Sequence, residues 1–211
     1  MDLHLVLAFV AATALLSLIP GPDLLFIVAN GVAGGRRVGI VAALGMSTGL
    51  AVHTVAAAFG LGLLIQSAPQ ALRIVRIAGA VVLLYLAVTT WRSSRRAGEV
   101  TAVRLPRRSL RRTYLMATLT NLANPKVILF YLAFVPQFVT LGAGAAPVAV
   151  QMLALGLVFI TVGLSVDGTA GLVSGTLSER ITGRSGLRAW MERLSAGVFA
   201  GLAVRLMSDS R

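Results

Sequence analysis

The stretch LLSLIPGPDLLFIVANG, from Leu15 to Gly31, decides how the whole chain is interpreted. It places two prolines, a glycine and an aspartate inside a run that is otherwise apolar. A proline lacks the backbone N–H and interrupts the hydrogen-bond ladder of a helix. A carboxylate in apolar surroundings is costly unless it has a partner. A helix that is broken beside a charge therefore indicates a binding site or a transport pathway.

The composition around this stretch excludes an ordinary soluble domain. Of the 211 residues, 57% are hydrophobic and 12% are charged, whereas soluble domains carry about 25% charged residues. Apolar segments of about 20 residues, the length that crosses a bilayer, recur along nearly the whole chain. The sequence therefore predicts an all-α integral membrane protein. Its six predicted spans are residues 3–33, 39–65, 72–91, 113–139, 147–173 and 188–207.

The net charge of +12 is carried by the connections between the spans. The odd-numbered connections contain arginines at 36 and 37, throughout 92–112, and at 180 and 184. The even-numbered connections, 66–71 and 140–146, contain no Lys or Arg. By the positive-inside rule the basic connections face the cytoplasm and both termini face outward. Membrane topology thus explains the charge without nucleic acid as a partner, and it leaves membrane lipids as the surroundings of the arginines.

The basic linker 92–112, with eight arginines and one glutamate, separates residues 1–91 from residues 113–211. Each part contains three predicted spans, and an odd number gives the two parts opposite orientations in the membrane. PGPDLLF in the first span and NPKVILF in the fourth both place a charged residue directly after a helix-breaking proline. We therefore expect two inverted-topology repeats of three helices, with helices 1 and 4 broken.

Four ionisable residues lie deep inside the predicted spans: Asp23, His53, Lys126 and Asp167. Such residues are rare within a bilayer and mark cavities or pathways. Each lies roughly 20 to 24 Å along its helix from the nearest cytoplasmic arginine, so we expect all four in one layer near the midplane. His53 has two interpretations, a proton relay or a packing residue. Asp167 also has two, a proton carrier or a partner of His53.

The prolines give two of these residues a backbone context. Pro22 suits the first position of a new half-helix, and Asn124 suits an N-cap before Pro125. A half-helix N-terminus offers free N–H groups and the positive end of a dipole. We therefore expect the break at Lys126 to bind a carboxylate, and Asp23 to bind an ammonium group or a proton, as a zwitterion requires. The alternative is a structural ion pair between Asp23 and Lys126.

Several classes of function find no support in the sequence. The chain has no cysteine, which excludes disulfides and thiol redox chemistry. It contains no nucleotide-binding or HExxH motif, and we expect no cofactor, no metal and no enzymatic activity. The alternatives from other classes are a membrane-embedded enzyme that uses Asp23, His53 and Asp167 as acid and base, and a membrane scaffold without transport.

Three segments, LIPGPDLLFIVANG, GIVAALGMSTGLAVHT and LTNLANPKVILFYLAFVPQF, resemble the LysE/RhtB family of bacterial amino-acid exporters. The six spans and the basic middle connection extend the resemblance over essentially the whole chain. It implies secondary export of amino acids or close derivatives across the bacterial inner membrane, driven by proton antiport. Efflux of another small solute by the same scaffold is the alternative within transport.

The resemblance also implies which residues bind the substrate. These are the positions that match the family's motifs, together with the aspartate that follows the first motif: Pro20, Gly21, Pro22, Asp23, Asn121, Asn124, Pro125 and Lys126. Asp23 stands where members of the family differ, and we expect it to tune substrate choice. The candidates for proton coupling are Asp23, His53 and Asp167. The protein is expected to act alone or as a homo-oligomer.

Overall fold

The computed structural model of the protein describes residues 3–67 and 109–181, together with single helical positions between 74 and 92 and between 193 and 204. The predicted spans 72–91 and 188–207 and most of the linker 92–112 lie outside the two continuous segments. Within these segments all regular structure is helical, as predicted. The helices are α1 (Leu3–Leu18), α2 (Pro22–Gly34), α3 (Arg36–Ser67), α4 (Leu110–Leu122), α5 (Pro125–Leu129) and α6 (Val148–Ile181).

Four of the predicted spans correspond to described helices, and they are of two kinds. The long helices α3 and α6 contain apolar segments, Arg36–Gly60 and Val148–Ser174, that are 25 and 27 residues long and sufficient to cross a bilayer. The other two spans are bent pairs. The axes of α1 and α2 meet at 53°, and those of α4 and the segment Pro125–Phe138 meet at 47°. The number of described spans is therefore two, or four if each bent pair counts as one.

The bends occur where the prolines predict them. Pro22 is the first residue of α2, after Gly21 in extended backbone conformation. Pro125 is the first residue of α5, and the side chain of Asn124 caps this helix by accepting a hydrogen bond from the Lys126 N–H at 3.0 Å. After α5 the chain continues as a π-helical turn, Phe130–Phe134, and a 3-10 turn, Val135–Phe138. The sequence did not predict these two turns.

Helix α3 packs against α4 in the same direction. A Cβ atom added at Gly45 would lie 2.7 Å from the Cβ of Ala117, and one at Gly49 would lie 2.7 Å from the Cβ of Asn121. Contacts that advance together along both helices show that α3 and α4 are parallel. The glycines bring α3 close to the second break, because side chains there would collide with α4.

Helix α3 packs against α6 in the opposite direction. The start of α3 meets the end of α6, where a Cβ at Gly39 would collide with the backbone of Gly171. Further along α3, the side chain of Thr54 occupies the space that a Cβ at Gly156 would need. The two long helices are therefore antiparallel, with glycine at both ends of their contact.

Aromatic side chains form the core between α1, the turns after α5, and α6. The ring of Phe9 lies 5.0 Å from that of Phe138, and the ring of Phe130 lies 4.8 Å from that of Phe134 and 4.9 Å from that of Phe159. All five side chains are buried. This cluster joins α1 to the second broken span and to α6, and Phe159 also borders the cavity described below.

Candidate functional site

The first break leaves backbone carbonyls at the end of α1 without their helical donors. Pro20 has no N–H, so the carbonyl of Leu16, four residues earlier, lacks its usual α-helical donor. It keeps only a long contact with the Ile19 N–H, at 3.3 Å, which the Leu15 carbonyl shares. The Lys126 Nζ donates to the Leu16 oxygen at 3.1 Å and to the carbonyl oxygen of Ile19 at 3.3 Å. Lys126 belongs to the other broken span and is the only lysine in the chain. The carbonyls at the end of α1 thus accept hydrogen bonds from the ammonium group of a lysine at the second break.

At the second break, the carbonyl that loses its helical donor has different hydrogen-bond partners. Pro125 removes the α-helical donor of the Asn121 carbonyl. That oxygen accepts the Asn124 N–H at 3.0 Å, and the His53 Nε2 lies 3.4 Å from it. A carbonyl oxygen only accepts, so Nε2 carries the hydrogen in this contact. The His53 ring stacks on the ring of Tyr131, with centroids 5.7 Å apart and planes inclined by 22°. Helix α3 therefore supplies a ring donor to the second break.

Asn121 connects the two breaks through its side chain. Its Nδ2 donates to the Asp23 Oδ2 at 2.7 Å, which holds the first turn of α2 against the end of α4. Both side chains are buried. The second carboxylate oxygen, Oδ1 of Asp23, and Oδ1 of Asn121 are buried without a hydrogen-bond partner in the described part of the chain.

A narrow cavity lies where the two breaks meet. Its volume is about 20 Å³, enough for roughly one water molecule. It is bordered by the three charged side chains of Asp23, Lys126 and Asp167, by Asn121, and by apolar or small residues from α1, α3 and α6. The full lining is Leu16, Ser17, Asp23, Leu24, Leu50, Asn121, Lys126, Val127, Phe159, Gly163 and Asp167.

The charges in this cavity do not balance. Asp23, Lys126 and Asp167 are exposed by only 7%, 8% and 8%, and when all are ionised two carboxylates face one ammonium. An uncompensated charge is expensive within a membrane. One further positive charge, as a proton or as a cationic group of a ligand, completes the balance.

Comparison with known proteins identifies the family of this chain. The profile of the LysE type translocators matches residues 14–210. This chain belongs to that family. No solved structure matches it.

Several relatives of this LysE-type translocator have names that refer to efflux. The homoserine/homoserine lactone efflux protein of Salmonella typhimurium is 34% identical over 176 residues, covering 82% of this chain and 80% of the relative. The leucine efflux protein of Klebsiella pneumoniae is 33% identical over 207 residues, covering 95% and 93%. A Vibrio cholerae relative, 32% identical over 163 residues and covering 77% of each chain, is named an uncharacterized membrane protein. With its apolar helices, this LysE-type translocator is a multi-pass membrane protein.

The structure of this LysE-type translocator brings most of the sequence-predicted residues together. Asp23, Asn121, Lys126 and Asp167 border one cavity. The three prolines and Asn124 shape the breaks, and Gly21 adjoins the lysine, because a Cβ there would lie 3.4 Å from Nζ. His53 is not among the described residues that border the cavity, and its hydrogen bond goes to the backbone carbonyl of Asn121.

The structure also shows what sequence reasoning missed in this translocator. The hydrogen bonds of Lys126 go to Leu16 and Ile19, and that of Asp23 goes to Asn121, so the two charged side chains border the same cavity while bonding to other groups. The position of Pro20 identifies the Leu16 carbonyl as the one that loses its helical donor. Nothing in the local pattern identifies the lysine 110 residues away that bonds to it.

Proposed function

We propose that this protein exports amino acids or close derivatives from the cytoplasm by proton antiport, and that substrate binds between the two helix breaks. The family membership and the names of the relatives support amino-acid efflux. The observation that carries the site is the narrow cavity at the meeting of two broken spans, bordered by one buried ammonium and two buried carboxylates. A zwitterion has a complementary group for each sign of charge.

Substrate binding requires the helices around the cavity to separate. A space of about 20 Å³ holds roughly one water molecule, which is far less than an amino acid needs. In alternating access, one part of a transporter rocks against the other around a site at the midplane. The antiparallel packing of α3 and α6 and the occurrence of one break in each half support two inverted repeats that move in this way. The protein would lie in the inner membrane, and the basic connections between its helices would face the cytoplasm.

Proton coupling is assigned to the carboxylates of the cavity. Asp167 faces both Asp23 and Lys126 there, and the excess negative charge is removed when one carboxylate binds a proton. Proton binding from outside and substrate binding from inside then alternate at the same site. His53, the third candidate, bonds to the Asn121 carbonyl and stacks on Tyr131. We therefore assign it to the support of the second break.

Efflux from proteoliposomes tests the proposal. Vesicles preloaded with a mixed pool of amino acids would contain wild type, Lys126→Ala, Asp23→Asn or the control Thr120→Ala. Thr120 is partly exposed, and the hydrogen bond of its side chain stays within its own helix, to the carbonyl of Met116. We expect wild type and the control to release a few amino acids selectively, and both site variants to lose at least about tenfold in rate. Release of no amino acid, or equal rates in all variants, would contradict the proposal.

An imposed pH gradient tests the coupling separately. Acid outside the vesicles, on the side that corresponds to the cell exterior, should accelerate efflux by wild type. Asp167→Asn should still bind substrate but lose this acceleration, because its neutral amide cannot exchange a proton. Efflux by wild type that does not change with the gradient would exclude proton antiport while leaving amino-acid export intact.

A further inference from the structure

The end of α1 is built to hold a cation. Its last carbonyls carry the negative end of the helix dipole, and Pro20 leaves that of Leu16 with only a shared backbone contact, the Ile19 N–H at 3.3 Å. The Lys126 ammonium occupies this place, at 3.1 Å from the Leu16 oxygen and 3.3 Å from the Ile19 oxygen. Half-helix ends of this kind coordinate cations in broken-helix transporters.

The cation found there has the chemistry of an amino acid's own amino group. A lysine ends in a primary ammonium with three N–H donors, whereas arginine presents a planar fork. Lys126 is the only lysine among the basic residues of this chain, and the others are arginines. The oxygens at the end of α1 therefore accept a compact ammonium, and the protein supplies one from its own chain.

Two features beside this ammonium bear on its exchange once the helices separate. Gly21 has φ −146° and ψ −176°, an extended conformation that other residues also adopt, so the backbone does not require glycine. A Cβ there would lie 3.4 Å from the Lys126 Nζ, so glycine keeps the space beside the ammonium open. Oδ1 of Asp23, a residue exposed by only 7%, is buried without a partner in the described part of the chain and borders the same cavity.

We propose that the carbonyls of Leu16 and Ile19, with the Asp23 carboxylate, form the subsite for the substrate's α-ammonium group, and that the Lys126 ammonium occupies this subsite when the transporter is empty. This inference rests on the proposed function and names the group that is recognised. When substrate enters, its ammonium replaces that of Lys126, and the released lysine turns to the substrate carboxylate. The substrate's ammonium thus bonds to the oxygens that Lys126 leaves, and the Lys126 ammonium bonds to the oxygens of the substrate carboxylate. The subsite selects primary α-amines and rejects N-acylated derivatives.

Binding measurements on the purified full-length protein in detergent test this exchange. The probes are leucine, N-acetyl-leucine, which lacks the ammonium, and leucinamide, which keeps the ammonium but lacks the carboxylate. For wild type we expect N-acetyl-leucine to bind at least about tenfold more weakly than leucine. Equal binding of these two ligands would overturn the subsite.

The variant Lys126→Met separates exchange from a merely structural role of the lysine. Without the internal competitor, leucinamide should bind about tenfold more tightly than to wild type, whereas leucine, which loses its carboxylate partner, should bind about tenfold more weakly. A structural role predicts that both ligands weaken together, and that result would overturn the proposal. Thr120→Ala is the control and should match wild type for all three ligands.

Two further outcomes keep this test independent of folding and of the proposed function. If Lys126→Met does not fold, as judged by its thermal unfolding without ligand, Lys126→Gln replaces it. Its amide keeps an N–H donor but no charge, so leucinamide should bind more tightly to Lys126→Gln than to wild type, and unchanged or weaker binding would overturn the proposal. If wild type neither binds nor exports any amino acid, the proposed function fails, and the leucinamide measurements still decide whether the end of α1 binds an ammonium.

Discussion

The two helix breaks are similar in angle but are closed in different ways. At the first break α2 begins after Gly21 without a side-chain cap, and the end of α1 is held by the ammonium of Lys126. At the second break α5 has its own N-cap, Asn124, and α3 supports the Asn121 carbonyl through His53. One break is completed by local structure and a neighbouring helix, whereas the other depends on a flexible side chain from the opposite span. We therefore expect a rearrangement on substrate binding to begin at the first break.

The largest effect on the free energy of unfolding is expected from a substitution where α3 packs against α4, beside the second break. A Cβ at Gly49 would lie 2.7 Å from the Cβ of Asn121, and overpacking of this kind costs about 3 kcal/mol. Gly49→Val should lower the free energy of unfolding in detergent by this amount. Gly60→Val on the same helix is the control, because a Cβ there meets no described atom within 4 Å. Equal stability of the two variants would show that the second break is not rigidly supported.

The second-largest effect is expected from the hydrogen bond between Asn121 and Asp23, which links the two breaks. Asn121→Ala leaves the Asp23 Oδ2 without the donor that now lies at 2.7 Å, and an unsatisfied buried charge costs about 2 kcal/mol or more. We expect this loss in the free energy of unfolding together with a raised KM for efflux. Thr120→Ala, one residue away, should change neither quantity. A normal KM in Asn121→Ala would mean that the two breaks function independently.

A smaller effect is expected from the local cap of the second break. Asn124→Ala removes the acceptor of the Lys126 N–H at 3.0 Å, and loss of an N-cap costs about 1 kcal/mol. Asn124→Ser keeps a capping oxygen and should recover most of this stability in the same unfolding experiment. If serine and alanine are equally destabilising, the local cap does not explain the stability of the second break.

The smallest effect is expected from the contact between α3 and the Asn121 carbonyl. At 3.4 Å the hydrogen bond of His53 is long, so His53→Leu should cost only about 0.5 kcal/mol. His53→Gln retains a donor and should restore both stability and transport rate. The acceleration of efflux by a pH gradient should be unchanged in His53→Gln. Loss of that acceleration in the glutamine variant would instead identify His53 as a proton carrier.

Local sequence chemistry was sufficient to predict the shape of the breaks. Proline at the first position of a helix and asparagine as an N-cap act over a few residues, so Pro22, Asn124 and Pro125 were assigned correctly. The boundaries of the four described spans followed from the lengths of the apolar runs. The partners of Lys126 and Asp23 did not follow, because they belong to helices about 100 residues away in sequence. Such contacts depend on how helices cross, which periodicity does not encode.

The turns after α5 show a second limit of sequence reasoning. The segment FYLAFVPQF looks like the continuation of an ordinary helix, but it forms a π-helical turn followed by a 3-10 turn. Packing of Phe130, Phe134 and Phe138 into the aromatic core accompanies this change in helix geometry. Only the tertiary structure shows which rings share that core, because Phe9 and Phe159 come from other helices.

The narrowness of the cavity has a consequence for the cell's stored energy. Ions and protons leak through a membrane protein along continuous files of water, and a space of about 20 Å³ has room for roughly a single molecule. With the lysine seated at the end of α1, this space is too small for a continuous file of water. We therefore expect vesicles that contain the idle protein to leak protons no faster than vesicles without it.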